Sequence, residues 1–271
     1  MMHKSVLKWA GGKAKVIPFI KSNFVVDPDR RWVEPFMGGG SVFLNIHAQD
    51  YLLADINKDL VTYYKTVQSQ KVEFIECVKS LFSQCTTAEQ YSKRRDEFNK
   101  LKSECIRKAA LFFYLNRAGY NGLCRYNIKG EYNVPFGQPI SYKVPEEAFN
   151  YLCFKLAAVE VTRAPYELLL PKTGQGDQIY CDPPYAKLNA SSFTKYSGNE
   201  FTKEDQTQLA DLLVEAHGRG AKVGISNNLT PVTEELYRSR GFKIYTTDTY
   251  RSIAAAGTVR TRVKEILAVL E

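Results

Sequence analysis

The chain has 271 residues, 44% of them hydrophobic, 13% aromatic and 24% charged, which is enough apolar surface for a full core and excludes a disordered chain. No run of 18 apolar residues argues for a membrane span, and Met1-Met2-His3-Lys4-Ser5-Val6-Leu7-Lys8 lacks the apolar stretch of a secretion signal, so a cytoplasmic location is expected. The formal charge is +8, compatible with a polyanionic partner; the six cysteines form no C-x-x-C pair and the three histidines lie far apart, so neither disulfides nor a metal site are expected.

In chain order, residues 32–36 and 51–56 read as strands. Four helical segments follow at 58–69, 71–83, 86–101 and 105–117, where Phe74, Val78, Leu81 and Phe82 recur three and four apart. Strand-type runs resume at 159–162, 178–182, 222–226, 243–247 and 265–270, with helices between them. One helix starts near Thr202, capped with Asp205; another has Thr230 as N-cap, Pro231 at its first position and Gly241 as its stop. Seven strands alternating with helices predict an α/β fold, a doubly wound, mostly parallel, Rossmann-like sheet. A helical block, 58–165, interrupts it between the second and third strands. Of the chain's charges, 17 basic and 11 acidic ones fall in that block, so most of the excess is there. A solvated helical face and a polyanion-binding face both explain it.

The block also contains a hairpin signature near 125–134. Arg125-Tyr126-Asn127-Ile128 and Glu131-Tyr132-Asn133-Val134 flank Lys129-Gly130, which suits a two-residue type I′ turn. That register sets Arg125 opposite Val134 and gathers Leu123, Arg125 and Pro135 at the open mouth.

Three motifs carry chemistry. The first is Val33-Glu34-Pro35-Phe36-Met37-Gly38-Gly39-Gly40-Ser41 after a strand, with Asp55 ending the next strand. Glycines permit a sharp turn and close backbone approach, and an acid at that spacing suits ribose hydroxyls; a tight turn alone also explains the glycines. The second is Asp182-Pro183-Pro184-Tyr185 at a strand end. Prolines leave rigid carbonyl acceptors with no N–H, and a carboxylate, carbonyls and an aromatic face together suit a planar exocyclic amine; an Asp-Pro turn is the plainer alternative. The third, Leu7-Lys8-Trp9-Ala10-Gly11-Gly12-Lys13, reads equally as a pocket wall or a buried turn.

Together and in this order the motifs resemble the Dam family of DNA adenine-N6 methyltransferases. The likeness covers KWAGGK at 8–13, VEPFMGGGSVFLN at 33–45, LADIN at 53–57, LNRAGYNGLCRYN at 115–127, EYNVPFG at 131–137 and YCDPPYA at 180–186. DPPY is shared among several amino-methylating enzymes, whereas the stretch from YNGLCRYN to NVPFG is narrower and points to GATC sites. The resemblance implies S-adenosylmethionine as cofactor, adenine in double-stranded DNA as substrate, and base flipping with direct in-line transfer. It divides the chain into a cofactor-binding catalytic domain, 1–57 with 166–271, and an inserted target-recognition domain, 58–165. Catalysis would fall to Asp182, Pro183, Pro184 and Tyr185. Cofactor contacts would come from Trp9, Ala10, Lys13, Glu34, Phe36, Gly38, Gly40, Ser41, Asp55, Tyr166 and Asp182. Lys8 and Arg125 would read guanine, Leu123 and Pro135 a thymine methyl. Tyr120 and Asn121 would enter the duplex, while Arg95, Arg117, Asn127 and Asn133 would lie at the backbone. Two departures stand out: Gln138 where an arginine is expected to grip flanking phosphate, and Ala118 in place of an aromatic. Cytosine-N4 methylation and a catalytically silent DNA-binding module are the competing readings. An enzyme acting alone and one paired with a restriction nuclease are not distinguished.

Overall fold

The computed structural model describes residues 2–185, 195–196, 199–250 and 262–271. Short apolar runs become β1 (Arg31–Glu34), β2 (Tyr51–Asp55), β3 (Val159–Arg163), β4 (Asp177–Cys181), β5 (Lys222–Asn228), β6 (Lys243–Tyr250) and β7 (Arg262–Leu270). The helices are α1 (Ile17–Asn23), α2 (Lys58–Ser69), α3 (Lys71–Leu81), α4 (Ala88–Lys100), α5 (Ile106–Ala118), α6 (Glu146–Leu156), α7 (Tyr166–Leu169), α8 (Lys203–Gly218) and α9 (Pro231–Arg238). Local signals set several of their ends. Thr202 and Asp205 close a capping box on α8, and Thr230 caps α9 with Pro231 in its first turn. Asn57 caps α2, accepting from the N–H groups of Asp59 and Leu60.

The strands form one seven-stranded sheet in the order β3-β2-β1-β4-β5-β7-β6. Pairings from β3 to β5 are parallel, and β7 runs antiparallel between β5 and β6. The chain winds outward in both directions from the β1–β4 pair, so the carboxyl ends of those strands flank the switch point where such sheets bind ligands. All five β4 residues are buried, as a parallel strand covered on both faces requires.

Alternate residues on each strand feed separate cores. Val33, Leu52, Ile179 and Val223 pack beneath α8 and α9. Trp32, Leu53 and Tyr180 belong to a second core that runs without interruption into the helical block, through Tyr63, Phe74, Phe113 and Phe149. The block is therefore fused to the sheet. β3 lies inside the span 58–165 yet pairs with β2 residue for residue, so the sheet reclaims the end of that span.

The hairpin departs from the expected register. Asn127 N–H bonds to Glu131 O at 2.9 Å and Asn133 N–H to Arg125 O at 3.0 Å, and Tyr126 bridges Tyr132. The loop has three residues, Ile128-Lys129-Gly130, with Gly130 at φ +74°. Asn127 causes this: its Oδ1 accepts from the N–H groups of Lys129 and Glu131, winding a tight turn that a left-handed glycine then closes. Arg125 consequently faces Asn133 instead of Val134.

Phe113 joins α3, α5 and α6 through rings of Phe74 at 6.1 Å and Phe149 at 5.4 Å. One shared core predicts one cooperative urea transition for sheet and helical block, which Phe113→Ala shifts by about 3–5 kcal/mol. Two separate transitions in the unmodified protein would contradict it.

Candidate active site

Three carboxylates mark the carboxyl edges of adjacent strands: Asp55 on β2, Glu34 on β1 and Asp182 just past β4. They open into a cavity of about 770 Å³. Its lining is acidic and aromatic. Among the described residues, Glu34, Asp55, Glu167, Asp182 and Asp205 face a single ammonium, Lys13, among Trp9, Phe36, Tyr166 and Phe201. The Phe36, Tyr166 and Phe201 rings lie 5.5–6.0 Å apart. Such walls fit a planar heteroaromatic ligand, and the excess of carboxylates fits one carrying positive charge.

The N-terminal strap reaches this cavity because Asn116, buried on α5, grips it. Asn116 Oδ1 accepts from Lys8 N–H at 2.9 Å, and its Nδ2 donates to Lys8 O at 2.6 Å. Trp9 then lies across the glycine turn. A Cβ at position 38 would fall 2.6 Å from Trp9 Nε1, and one at 39 would fall 2.7 Å from Trp9 Cβ. These glycines admit the indole of their own chain, a different service from making room for a ligand. Gly40, at φ +68°, lies behind the lining, with Tyr64 Oη 2.8 Å from where its Cβ would stand.

Lys13 follows on the strap and is 4% exposed. Its Nζ lies 3.0 Å from Asp182 Oδ1, donates to Gly11 O at 2.9 Å and stands 4.5 Å above the Tyr185 ring. Burial raises the Asp182 carboxyl above its usual range, and the Lys13 ammonium pulls it back. Burial also pushes Asp55 up to about 6, although its oxygens accept from Gly38 N–H at 3.2 Å and Asn57 N–H at 2.9 Å. Glu34 rises to about 8 for the same reason, despite the Trp32 indole N–H donated to it at 2.7 Å. Tyr185 Oη donates to Glu265 on β7 at 3.3 Å. The two proline carbonyls do not act alike: Pro184 O is taken by Gln206 Nε2 at 2.8 Å, which removes it from the outward-facing acceptors expected of this loop.

Trp9, Ala10, Lys13, Glu34, Phe36, Gly38, Ser41, Asp55, Asp182, Pro183, Pro184 and Tyr185 from the motifs all line the cavity, and so does Tyr166 from outside them. Phe201, Asp205, Cys124 and Tyr126 line it as well, although nothing in the sequence assigned them to the site. The last two come from the hairpin strand. Cys124 Sγ receives Asn57 Nδ2 at 3.5 Å, and Tyr126 Oη donates to Asp59 at 2.7 Å.

A second group of residues gathers on the adjoining surface. Tyr120 N–H bonds to Pro135 O at 2.9 Å and Leu123 N–H to Tyr120 O at 3.1 Å, which brings these three together. Asn121, exposed at φ +51°, forms the corner. Lys8 Nζ donates to Arg117 O at 3.0 Å, and burial followed by the Arg117 charge lowers its pKa. Arg125 is exposed and braced by Asn133, with Nε to Oδ1 at 2.8 Å and Nη2 to the backbone O at 3.1 Å. Arg95 turns inward to Val134 O at 3.2 Å, Arg117 lies over Tyr142 at 4.8 Å, and Asn127 is spent on the turn. Ala118 is buried beside this turn and Gln138 is exposed.

Residues 9–253 match the model of the D12 class N6 adenine-specific DNA methyltransferases. The chain belongs to this family. The D12 chain is 41% identical to the DNA adenine methylase of Escherichia coli strain K12, over 98% of itself and 95% of that protein. It is 38% identical to the DNA adenine methylase of Salmonella typhi, over 99% of itself and 96% of the relative. A DNA N-6-adenine-methyltransferase of Escherichia phage P1 is 39% identical over 98% of this chain, which spans only 35% of that longer protein. Among solved structures, a precorrin 8W decarboxylase from Methanobacterium thermoautotrophicum overlays with a TM-score of 0.45 at 12% identity across the whole of both chains, too distant to bear on function. Among the described residues no cluster of three or more histidine, cysteine or acidic side chains could hold a metal, and no helix is long and apolar enough to cross a membrane.

The buried Glu34 of this D12 chain has a consequence for stability. Between its ordinary value of 4.5 and about 8, the folded chain keeps a proton that the unfolded chain has released. Its contribution to stability therefore falls as pH rises through that window. Glu34→Gln, permanently neutral and still able to accept from Trp32, is expected to flatten this slope in urea midpoints measured from pH 5 to pH 9. An unchanged slope would show that Glu34 is ionised when folded.

Proposed function

We propose that this chain transfers the methyl group of S-adenosylmethionine to N6 of adenine in double-stranded DNA, at GATC sites, from a cytoplasmic location. The observation that carries the reading is Asp182, held by Lys13 at 3.0 Å beside Tyr185 in an acid-lined aromatic cavity at the sheet's switch point. When bound there, S-adenosylmethionine supplies an electrophilic methyl on a sulfonium. Asp55 suits its ribose hydroxyls, the rings of Phe36, Tyr166 and Phe201 its adenine, and the acidic lining its charge.

Adenine N6 cannot be reached inside a duplex, so the base is extruded at a cost of a few kcal/mol. Tyr120, 40% exposed on the corner beside Asn121, fills the vacated stack, and the Tyr185 ring receives the base. Each such stack contributes roughly 1–3 kcal/mol. Lys13 covers one face of Tyr185 and Glu265 fixes its hydroxyl, so the ring waits in a set orientation. The N6 lone pair is delocalised and weakly nucleophilic. Hydrogen bonds from the amine to the Asp182 carboxylate and the Pro183 carbonyl favour a pyramidal nitrogen and stabilise the positive charge that develops on it. The Lys13 ammonium favours the ionised, accepting form of Asp182 against the effect of burial.

Sequence reading falls to the adjoining surface. Asn133 occupies Nε and one Nη2 proton of Arg125, which leaves a pair of N–H groups free for guanine O6 and N7. Counting back along the hairpin pairing sets Leu123 opposite Pro135, two apolar groups suited to a thymine methyl. Asn133 and Asn127 support the hairpin in this reading.

Labelled S-adenosylmethionine should mark adenine N6 in a short GATC duplex and spare a duplex with its adenines in other contexts. Asp182→Ala is expected to abolish turnover while DNA binding persists; retained turnover would end the assignment. Arg125→Ala should cost about 1–3 kcal/mol of discrimination at one guanine, read as competing kcat/KM values on singly substituted sites. Equal losses on every site would recast Arg125 as a phosphate contact.

A further inference from the structure

The Asp-Pro-Pro-Tyr loop has a structural difficulty. Neither Pro183 nor Pro184 has an N–H, so the loop cannot be tied down by its own donors there, and its carbonyls are the remaining backbone handles. Gln206 takes one of them. It lies in the first turn of α8, is 5% exposed, and donates from Nε2 to Pro184 O at 2.8 Å.

The amide orientations follow from the network behind it. Asn227, fully buried on β5, accepts Asn228 N–H on its Oδ1 at 2.9 Å. Its Nδ2 therefore donates, to Gln206 Oε1 at 2.9 Å and to Tyr237 Oη on α9 at 3.0 Å. With its oxygen committed to Asn227, Gln206 must present its amine to Pro184, whose carbonyl can only accept. Two helices and a strand thus converge on one peptide oxygen, two residues from Asp182. The Gln206 bond fixes the peptide plane next to the Pro183 carbonyl.

We propose that Gln206 is a positioning residue for methyl transfer: through the Pro184 carbonyl it holds the Pro183 carbonyl and the Asp182 carboxylate in the geometry that clasps the exocyclic amine. This rests on the amine-clasp reading above. Misplacing reacting groups by about 1 Å costs on the order of 10²-fold in rate, whereas ligand binding elsewhere in the cavity does not depend on the clasp.

Two substitutions test it under single-turnover conditions with saturating GATC duplex. Gln206→Met keeps length and loses the donor. Gln206→Glu keeps the acceptor for Asn227 and offers Pro184 a donor only while protonated. The nearby titratable groups are Asp205, its neighbour on α8, Tyr166 on α7, whose hydroxyl bonds Asp205 O, Tyr237, which shares Asn227 with it, and Asp182 at the head of the loop; all are common to wild type and variants. The methionine variant should lose at least ~10-fold in transfer rate, with a far smaller change in S-adenosylmethionine affinity, which the rest of the lining carries. The glutamate variant should match wild type wherever its carboxyl is protonated and fall away as pH rises. Wild-type rates in the methionine variant overturn the proposal, as does a parallel loss of rate and cofactor affinity. If the methionine variant does not fold, a glutamate variant that tracks wild type at every pH overturns it too. Asp182→Ala run alongside separates the two layers: turnover in that variant removes the clasp itself, whereas a dead Asp182→Ala with active Gln206 variants removes only the role of Gln206.

Discussion

A carboxylate at the end of a buried parallel strand needs a counter-charge, and most of this active site follows from how that charge is delivered. Breaking a buried ion pair costs several kcal/mol, so Asp182 without Lys13 would be an uncompensated charge or a protonated acid unable to accept from an amine. Lys13 arrives from the opposite end of the sequence on a strap without secondary structure. Something must fix that strap. Asn116 does so by satisfying both backbone groups of Lys8, and Trp9 does so by lying flat on a turn stripped of side chains. The glycine motif, α5 and the helical block thereby become parts of the device that brings a counter-charge to one buried carboxylate.

Periodicity made the elements legible. The four predicted helices of the block coincide with α2 to α5 to within a few residues, and capping residues placed the starts of α8 and α9. Of the parallel strands, β2 reads as a nearly unbroken apolar run, whereas β3 alternates and buries only one face well. The short α1 and α7 and the eleven-residue α6 escaped, since their apolar patterns are brief and their N-caps make no side-chain bond. The hairpin shows where local reasoning stops: Lys129-Gly130 fits a two-residue turn, but the Asn127 side chain recruits two amides and adds a residue to the loop.

The motifs located the cavity, and some of their residues also serve contacts within the protein. Gly38 and Gly39 make room for Trp9. The second proline carbonyl is consumed inside the protein. Gln206, Asn227 and Tyr237 carry no short-range signature, because three polar residues on separate elements acquire meaning only when the sheet stacks them. Phe201 and Asp205 are hidden likewise: a helix start looks the same in sequence whether or not it lines a pocket.

The hairpin strand carries one further implication. Cys124 and Tyr126 wall the cavity while Arg125 between them stands in solvent, so one pleated strand serves two surfaces on alternate residues. A substitution at 125 alters the outer face and leaves the cavity wall intact, whereas one at 124 or 126 perturbs the cavity wall. An insertion of a single residue would exchange the two faces outright.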